Sequence, residues 1–135
     1  MPYRWSARSA GRLATCHPVL IALMDAAIET SPCDMTITCG HRTKREQDEV
    51  FNNGRSKVQW PNSKHNKMPA LAVDVVPYVN GGPSWDWPYI HPLADHIKSV
   101  WAALPAEMTD GWRLEWGGDW RSFRDGPHWQ IVAED

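Results

Sequence analysis

Between Ser63 and Pro77 the chain reads Ser-Lys-His-Asn-Lys-Met-Pro-Ala-Leu-Ala-Val-Asp-Val-Val-Pro. A polar loop delivers His65 and then runs into an apolar segment that holds Asp74 between Val73 and Val75. A carboxylate so placed lies on or beside a buried strand, and burying its charge is costly unless something pairs with it or binds it. A metal ion is one such partner, and His65 is close enough in sequence to share it. A further ligand is available near the C-terminus, where Asp125-Gly126-Pro127-His128-Trp129-Gln130-Ile131 sets another histidine at the head of a short strand. Two histidines and a carboxylate, with Asp125 three residues before the second histidine, match the donor set of a hydrolytic zinc site. Singly they say less. Alone, His65 reads as a surface histidine, and His128 reads as a core residue as readily as a ligand.

The rest of the chain supplies a scaffold of alternating element types. Residues 1–14 are polar and arginine-rich and read as a loosely ordered lead-in. Thr15 to Thr30 has helical spacing of Leu20, Leu23, Met24, Ala27 and Ile28, with Pro18 suited to the first turn. Met35 to Cys39 alternates and is rich in β-branched residues, as a strand would be. Thr43 and Glu46 have the spacing of a capping box, predicting a helix that carries Val50 and Phe51 inward and ends at Asn52-Asn53-Gly54. Leu71 to Val76 is apolar on both faces, which predicts a central strand. A turn-rich stretch over 78–88 precedes a helix over Tyr89 to Leu104, and Trp112 to Trp116 and His128 to Val132 are two last strands. The expectation is an α+β fold in one domain, with helices packed on one side of a small, mainly antiparallel sheet.

Composition removes several classes. A net charge of −2 with no long basic run offers no electrostatic footprint for nucleic acid. The longest apolar stretch, Pro18 to Ile28, includes Asp25 and is too short to span a bilayer, so no membrane insertion is expected. The arginine-rich N-terminus lacks the apolar core of a secretory signal, which predicts synthesis in the cytoplasm. The odd set Cys16, Cys33 and Cys39 reads as free thiols, since no C-x-x-C pair supports a metal site built on Cys39 and His41. Nine tryptophans point mainly to core packing, although Trp60, Trp85 and Trp87 stand in loop-like stretches where they could line a groove.

Ser63-x-His65, Ala72-Val73-Asp74, Trp116-Gly117-Gly118-Asp119-Trp120 and Asp125-x-Pro127-His128-Trp129 appear in an order that resembles the zinc peptidases of peptidoglycan stem peptides. These are the D-alanyl-D-alanine carboxypeptidase and L-alanyl-D-glutamate endopeptidase family of Hedgehog/DD-peptidase fold, and the phage endolysin branch is the nearest in pattern. Gly40-His41-Arg42-Thr43 with Glu46-Gln47 resembles the family's strand–arginine–helix segment, and the likeness extends over roughly residues 15–133. It implies zinc on His65, Asp74 and His128, Asp125 as general base, and Arg42 as a substrate-holding residue. Asp125 in place of the glutamate common in carboxypeptidases, with Pro127 before the histidine, leans toward the endolysin branch. One departure is the spacing from His65 to Asp74, two residues longer than is usual, with Met68-Pro69 where the family often has glycine.

These residue types suit the implied chemistry. Three protein ligands leave one tetrahedral position of zinc for water, whose pKa the metal lowers to about 7. A carboxylate within hydrogen-bond reach takes the water's proton and passes it to the leaving amine. Arg42 offers a permanently charged donor fork for a substrate carbonyl or carboxylate, or else a structural salt bridge. Ser63 either donates a hydrogen bond at the site or starts a turn. Asp119 reads as a turn residue, and His17, His41, His91 and His96 show no partner pattern. The implied activity is hydrolysis of the L-alanyl-D-glutamate bond by a monomeric endolysin acting on the cell wall after release. The alternatives are a D-alanyl-D-alanine carboxypeptidase or dipeptidase, and a catalytically silent binding or morphogenetic module of the same fold.

Overall fold

A computed structural model of the chain describes residues 2–134. Four strands, β1 (Asp34–Cys39), β2 (Ala72–Val79), β4 (Trp112–Trp116) and β5 (His128–Ala133), form an antiparallel sheet in the order β1-β2-β5-β4. The short β3 (Gly82–Pro83) pairs with the end of β2. Helices α2 (Pro18–Thr30) and α4 (Trp87–Ala103) supply the apolar layer, as an α+β architecture requires. The doubly apolar β2 is central, as its composition predicts.

Alternation along the strands sorts the residues. Val73, Val75, Trp129 and Ile131 join the core with Leu20, Leu23, Met24, Leu93 and Ile97 from the two helices. Burying each such side chain stabilises the fold by about 1.5–3 kcal/mol. The intervening residues Asp74, His128 and Gln130 therefore share the opposite face. The register then aligns them: Asp74 lies opposite His128, Cys39 opposite Asp74, and Glu115 opposite Gln130. A row of polar side chains thus crosses the sheet on the face away from α2 and α4.

Two expectations need correction. The lead-in contains helix α1 (Ala7–Leu13), capped by Ser6 and with Ser9 and Leu13 buried. Arg12 Nη1 donates to the Ile37 carbonyl at 3.0 Å, and the Ile37 N–H donates to Ser9 Oγ at 3.0 Å. α1 thereby covers the free edge of β1, a task that polar residues perform and that hydrophobic periodicity does not reveal. Helix α3 (Lys44–Asn52) has the predicted capping box of Thr43 and Glu46, yet the residue it buries is Gln47, while Val50 and Phe51 stay half-buried. Gln47 is drawn inward because its amide has partners there. It donates to Val58 O at 2.7 Å and Ser56 Oγ at 3.1 Å, and accepts from Arg42 and Asn66. A further short helix, α5 (Ala106–Thr109), precedes β4. Among the described residues no helix is long and apolar enough to cross a membrane.

Candidate metal and catalytic site

His65 sits in a single 3-10 turn, Lys64–Asn66, whose ends are tied by reciprocal side-chain bonds. Ser63 Oγ accepts from the His65 N–H at 3.2 Å, and Asn66 Oδ1 accepts from the Ser63 N–H at 3.1 Å. The structure therefore gives Ser63 the turn-starting role. The turn is anchored to the segment after β1: Arg42 N–H donates to the His65 carbonyl at 2.8 Å and Asn66 Nδ2 to the Arg42 carbonyl at 3.0 Å. The longer loop through Met68-Pro69 leaves His65 beside Asp74, so the spacing departure does not separate the two.

Three atoms converge in front of the sheet. His65 Nε2 lies 3.2 Å from Asp74 Oδ1 and 3.3 Å from His128 Nδ1, and His128 Nδ1 lies 3.3 Å from Asp74 Oδ1. His65 Nδ1 is 2.8 Å from the Gly40 carbonyl, which can only accept, so in the neutral ring the proton is on Nδ1 and Nε2 carries the lone pair. The carboxylate adds acceptors and no donor. His65 Nε2 and the carboxylate are therefore both acceptors, and a proton or a metal ion must lie between them. Burial opposes charging His65, but the Asp74 charge and hydrogen bond outweigh it and push its pKa up to about 10. Burial likewise opposes ionising Asp74, yet His65, followed by His128, holds its carboxyl well below the usual carboxylate range. His65 and His128 are buried, and the Asp74 side chain is 15% exposed.

Asp125 reaches the same place from the loop between β4 and β5. Its N–H donates to the Gly117 carbonyl at 3.1 Å, its carbonyl accepts from the His128 N–H at 3.1 Å, and its Oδ2 lies 4.0 Å from His128 Nδ1. Gly117 is needed there, because a Cβ would meet the Asp125 carbonyl and approach the Asp125 and His128 Cβ atoms to 3.0 and 3.1 Å. Trp116 Nε1 donates to the Gly126 carbonyl at 2.7 Å and ties the loop to the core. Burial, and then the Asp74 charge, push the Asp125 carboxyl above its ordinary value.

Arg42 places Nη2 3.6 Å from Asp74 Oδ2 and donates through Nη1 to Gln47 Oε1 at 3.0 Å. Ligand atoms of Asp74, Asp125 and His128 all lie within 4.8 Å of one another, as do those of Cys39, His65 and Asp74. The molecule thus holds residue groups able to take a metal ion. Cys39, a plain free thiol by its sequence context, stands at the edge of the cluster, while His41 does not enter it. A groove of about 1000 Å³ runs past the cluster and is flanked by Trp85, Trp87 and Trp120. Asp119 lies outside it in an exposed ion pair with Lys98.

Sequence reading quoted Gln47 and Trp120 only as members of motifs and gave no role to them or to Asn66, Glu115 and Gln130; the Trp120 ring centroid is 5.1 Å from that of His128. For Gln130 a signal exists: in a strand, two residues after His128 is the same face. For Gln47 and Asn66 no local pattern signals their mutual contact.

Comparison with known proteins identifies relatives of the whole chain. The family model of phage L-alanyl-D-glutamate peptidases matches residues 1–132. The peptidoglycan L-alanyl-D-glutamate endopeptidase CwlK of Bacillus subtilis (strain 168) is 32% identical over 127 residues, 86% of this chain and 73% of CwlK. The L-alanyl-D-glutamate peptidase of Escherichia phage T5 is 31% identical over 129 residues, 93% of this chain and 87% of the phage protein. The crystal structure of the Serratia marcescens L-Ala D-Glu endopeptidase ChiX superimposes with a TM-score of 0.76 at 31% identity, covering 96% of this chain and 90% of ChiX. With nearly its whole length matched in sequence and in fold, the chain belongs to the phage L-alanyl-D-glutamate peptidase family.

Proposed function

We propose that this protein is a zinc-dependent peptidase that hydrolyses the L-alanyl-D-glutamate bond of peptidoglycan stem peptides, as an endolysin does in host lysis. The observation that carries the metal half is the triangle of His65 Nε2, Asp74 Oδ1 and His128 Nδ1, with edges of 3.2, 3.3 and 3.3 Å. A tetrahedron with zinc–nitrogen bonds of about 2.0–2.1 Å has edges of about 3.3 Å, so these three atoms match one face of a zinc site. The substrate half rests on family membership.

His65, Asp74 and His128 would hold the zinc ion, which when bound supplies a Lewis acid and lowers the pKa of water. The other roles belong to the chain. Asp125, whose carboxyl is raised toward proton affinity by burial and by the Asp74 charge, takes the proton of the attacking water and delivers it to the leaving amine. Arg42, held by Gln47 at the edge of the cluster, directs its remaining donors at the substrate carbonyl as charge develops there. Ser63 keeps its hydroxyl hydrogen free to donate while its oxygen caps the His65 turn. Lys64, Arg55 and Arg124 line the groove and suit the carboxylates of a stem peptide.

Digestion of purified peptidoglycan, with identification of the new amino termini, tests the bond. New glutamate amino termini are expected. Release of free D-alanine with no new glutamate amine would assign the protein to the carboxypeptidases instead.

A further inference from the structure

Beyond the ligands, a chain of side chains runs outward from His128. His128 Nε2 lies 2.7 Å from Gln130 Oε1, Gln130 Nε2 donates to Glu115 Oε1 at 2.8 Å, and Arg113 Nη2 donates to Glu115 Oε2 at 3.0 Å. Strand geometry explains the line. His128 and Gln130 are two apart on β5 and share a face, Glu115 is the cross-strand neighbour of Gln130, and Arg113 is two before Glu115 on β4.

The chemistry of the line runs one way. The hydrogen bond from Arg113, against a smaller opposing effect of burial, and then that from Gln130 hold the Glu115 carboxyl below its ordinary range, so it is ionised and only accepts. An acceptor at Glu115 requires the amide nitrogen of Gln130 to face it, which turns Oε1 toward His128. An oxygen 2.7 Å from Nε2 requires a proton on Nε2, and the neutral ring then has its lone pair on Nδ1. Nδ1 is the atom that points at Asp74 and His65.

We propose that Gln130 and Glu115 are positioning residues that lock His128 in the Nε2-protonated tautomer and so aim its Nδ1 lone pair into the metal site. The inference rests on the zinc reading above and adds residues outside the set of three metal ligands. Partners of this kind typically set metal affinity by about 10–100-fold.

The test uses the full chain and zinc binding measured by competition with a chelator, with activity left aside. Gln130→Leu is expected to weaken zinc binding by about 10–100-fold. The swap Gln130→Glu with Glu115→Gln keeps every donor facing an acceptor, since the relocated carboxylate on β5 would accept both from His128 and from the relocated amide on β4. It is expected to restore affinity. Long-range proton–nitrogen spectra of the zinc-loaded wild type should show His128 protonated at Nε2 and His65 protonated at Nδ1. Unchanged affinity in a folded Gln130→Leu protein, failure of a folded swap to recover it, or a His128 proton on Nδ1 would each overturn the proposal. The wild-type spectrum decides even if the leucine variant does not fold. A wild type that takes up no zinc overturns the zinc reading as well, whereas one that binds zinc regardless of Gln130 overturns only this inference.

Discussion

The two histidines of the site are oriented by opposite means. His65 is aimed by backbone: the Gly40 carbonyl fixes its Nδ1 proton, and a capped turn fixes the ring. His128 is aimed by side chains, through Gln130 and Glu115 on neighbouring strands. The first half cannot be retuned by substituting the bonding group, because a carbonyl survives any replacement; it yields only to changes that move the backbone. The second half can be dismantled one side chain at a time. The His128 half also carries Asp125, joined to it through a single turn. The site is therefore rigid on one side and adjustable on the side where Asp125 sits.

The largest effect should separate metal holding from turnover. Asp125→Ala is expected to lower kcat by about 10²–10⁴-fold, the usual weight of a general base, with bound zinc unchanged by elemental analysis. Loss of the metal with the activity would make Asp125 a ligand and blur the division. On the rigid side, Gly40→Ala should act through the backbone. Its Cβ would meet the Arg12 carbonyl and Thr15 Oγ1, and overpacking of this sort costs about 1–3 kcal/mol. Urea unfolding should show that loss, together with weaker zinc binding as the Gly40 carbonyl shifts away from His65. An alanine variant as stable as wild type would show that the backbone half is softer than argued.

The metal-free protein offers a pH test of the same cluster. The folded pKa of His65 is raised above 6.5, so its contribution to stability is complete below 6.5 and disappears as pH rises toward about 10. The folded pKa of Asp74 is lowered from 3.8, so its contribution is complete above that value and is lost as pH falls. Urea midpoints in chelator should therefore peak between these limits and decline on the alkaline side, and zinc should flatten that decline. A midpoint constant from neutral to alkaline pH in chelator would mean that His65 and Asp74 do not share a proton. Away from the site the effects shrink. Thr43→Ala removes the α3 cap and should cost about 1 kcal/mol. Lys98→Ala breaks an exposed pair with Asp119 and should cost at most about 1 kcal/mol by the same unfolding measurement.

The contrast also separates what could be read from the chain and what could not. Asp74 and His128 were legible because a charge inside a valine run and a histidine heading a strand are local patterns, and the antiparallel register then sets them side by side. The capping box of α3 and the strand at Trp112–Trp116 are local in the same sense. Helix α1 was not legible, since it is held by Arg12 and Ser9 bonding to β1 rather than by an apolar stripe. The roles of Gln47 and Asn66 are not legible for a related reason. Their burial follows from a hydrogen-bonded junction among α3, the Arg42 segment and the His65 turn, and such a junction exists only once those segments meet.

Bound metal, measured by elemental analysis on wild type and on His128→Ala after both are supplied with zinc and dialysed, tests the central claim most directly. About one zinc per wild-type chain and a large loss in the variant are expected from three converging ligands. A wild type that stays metal-free, or a variant that keeps its zinc, would contradict the account of the site.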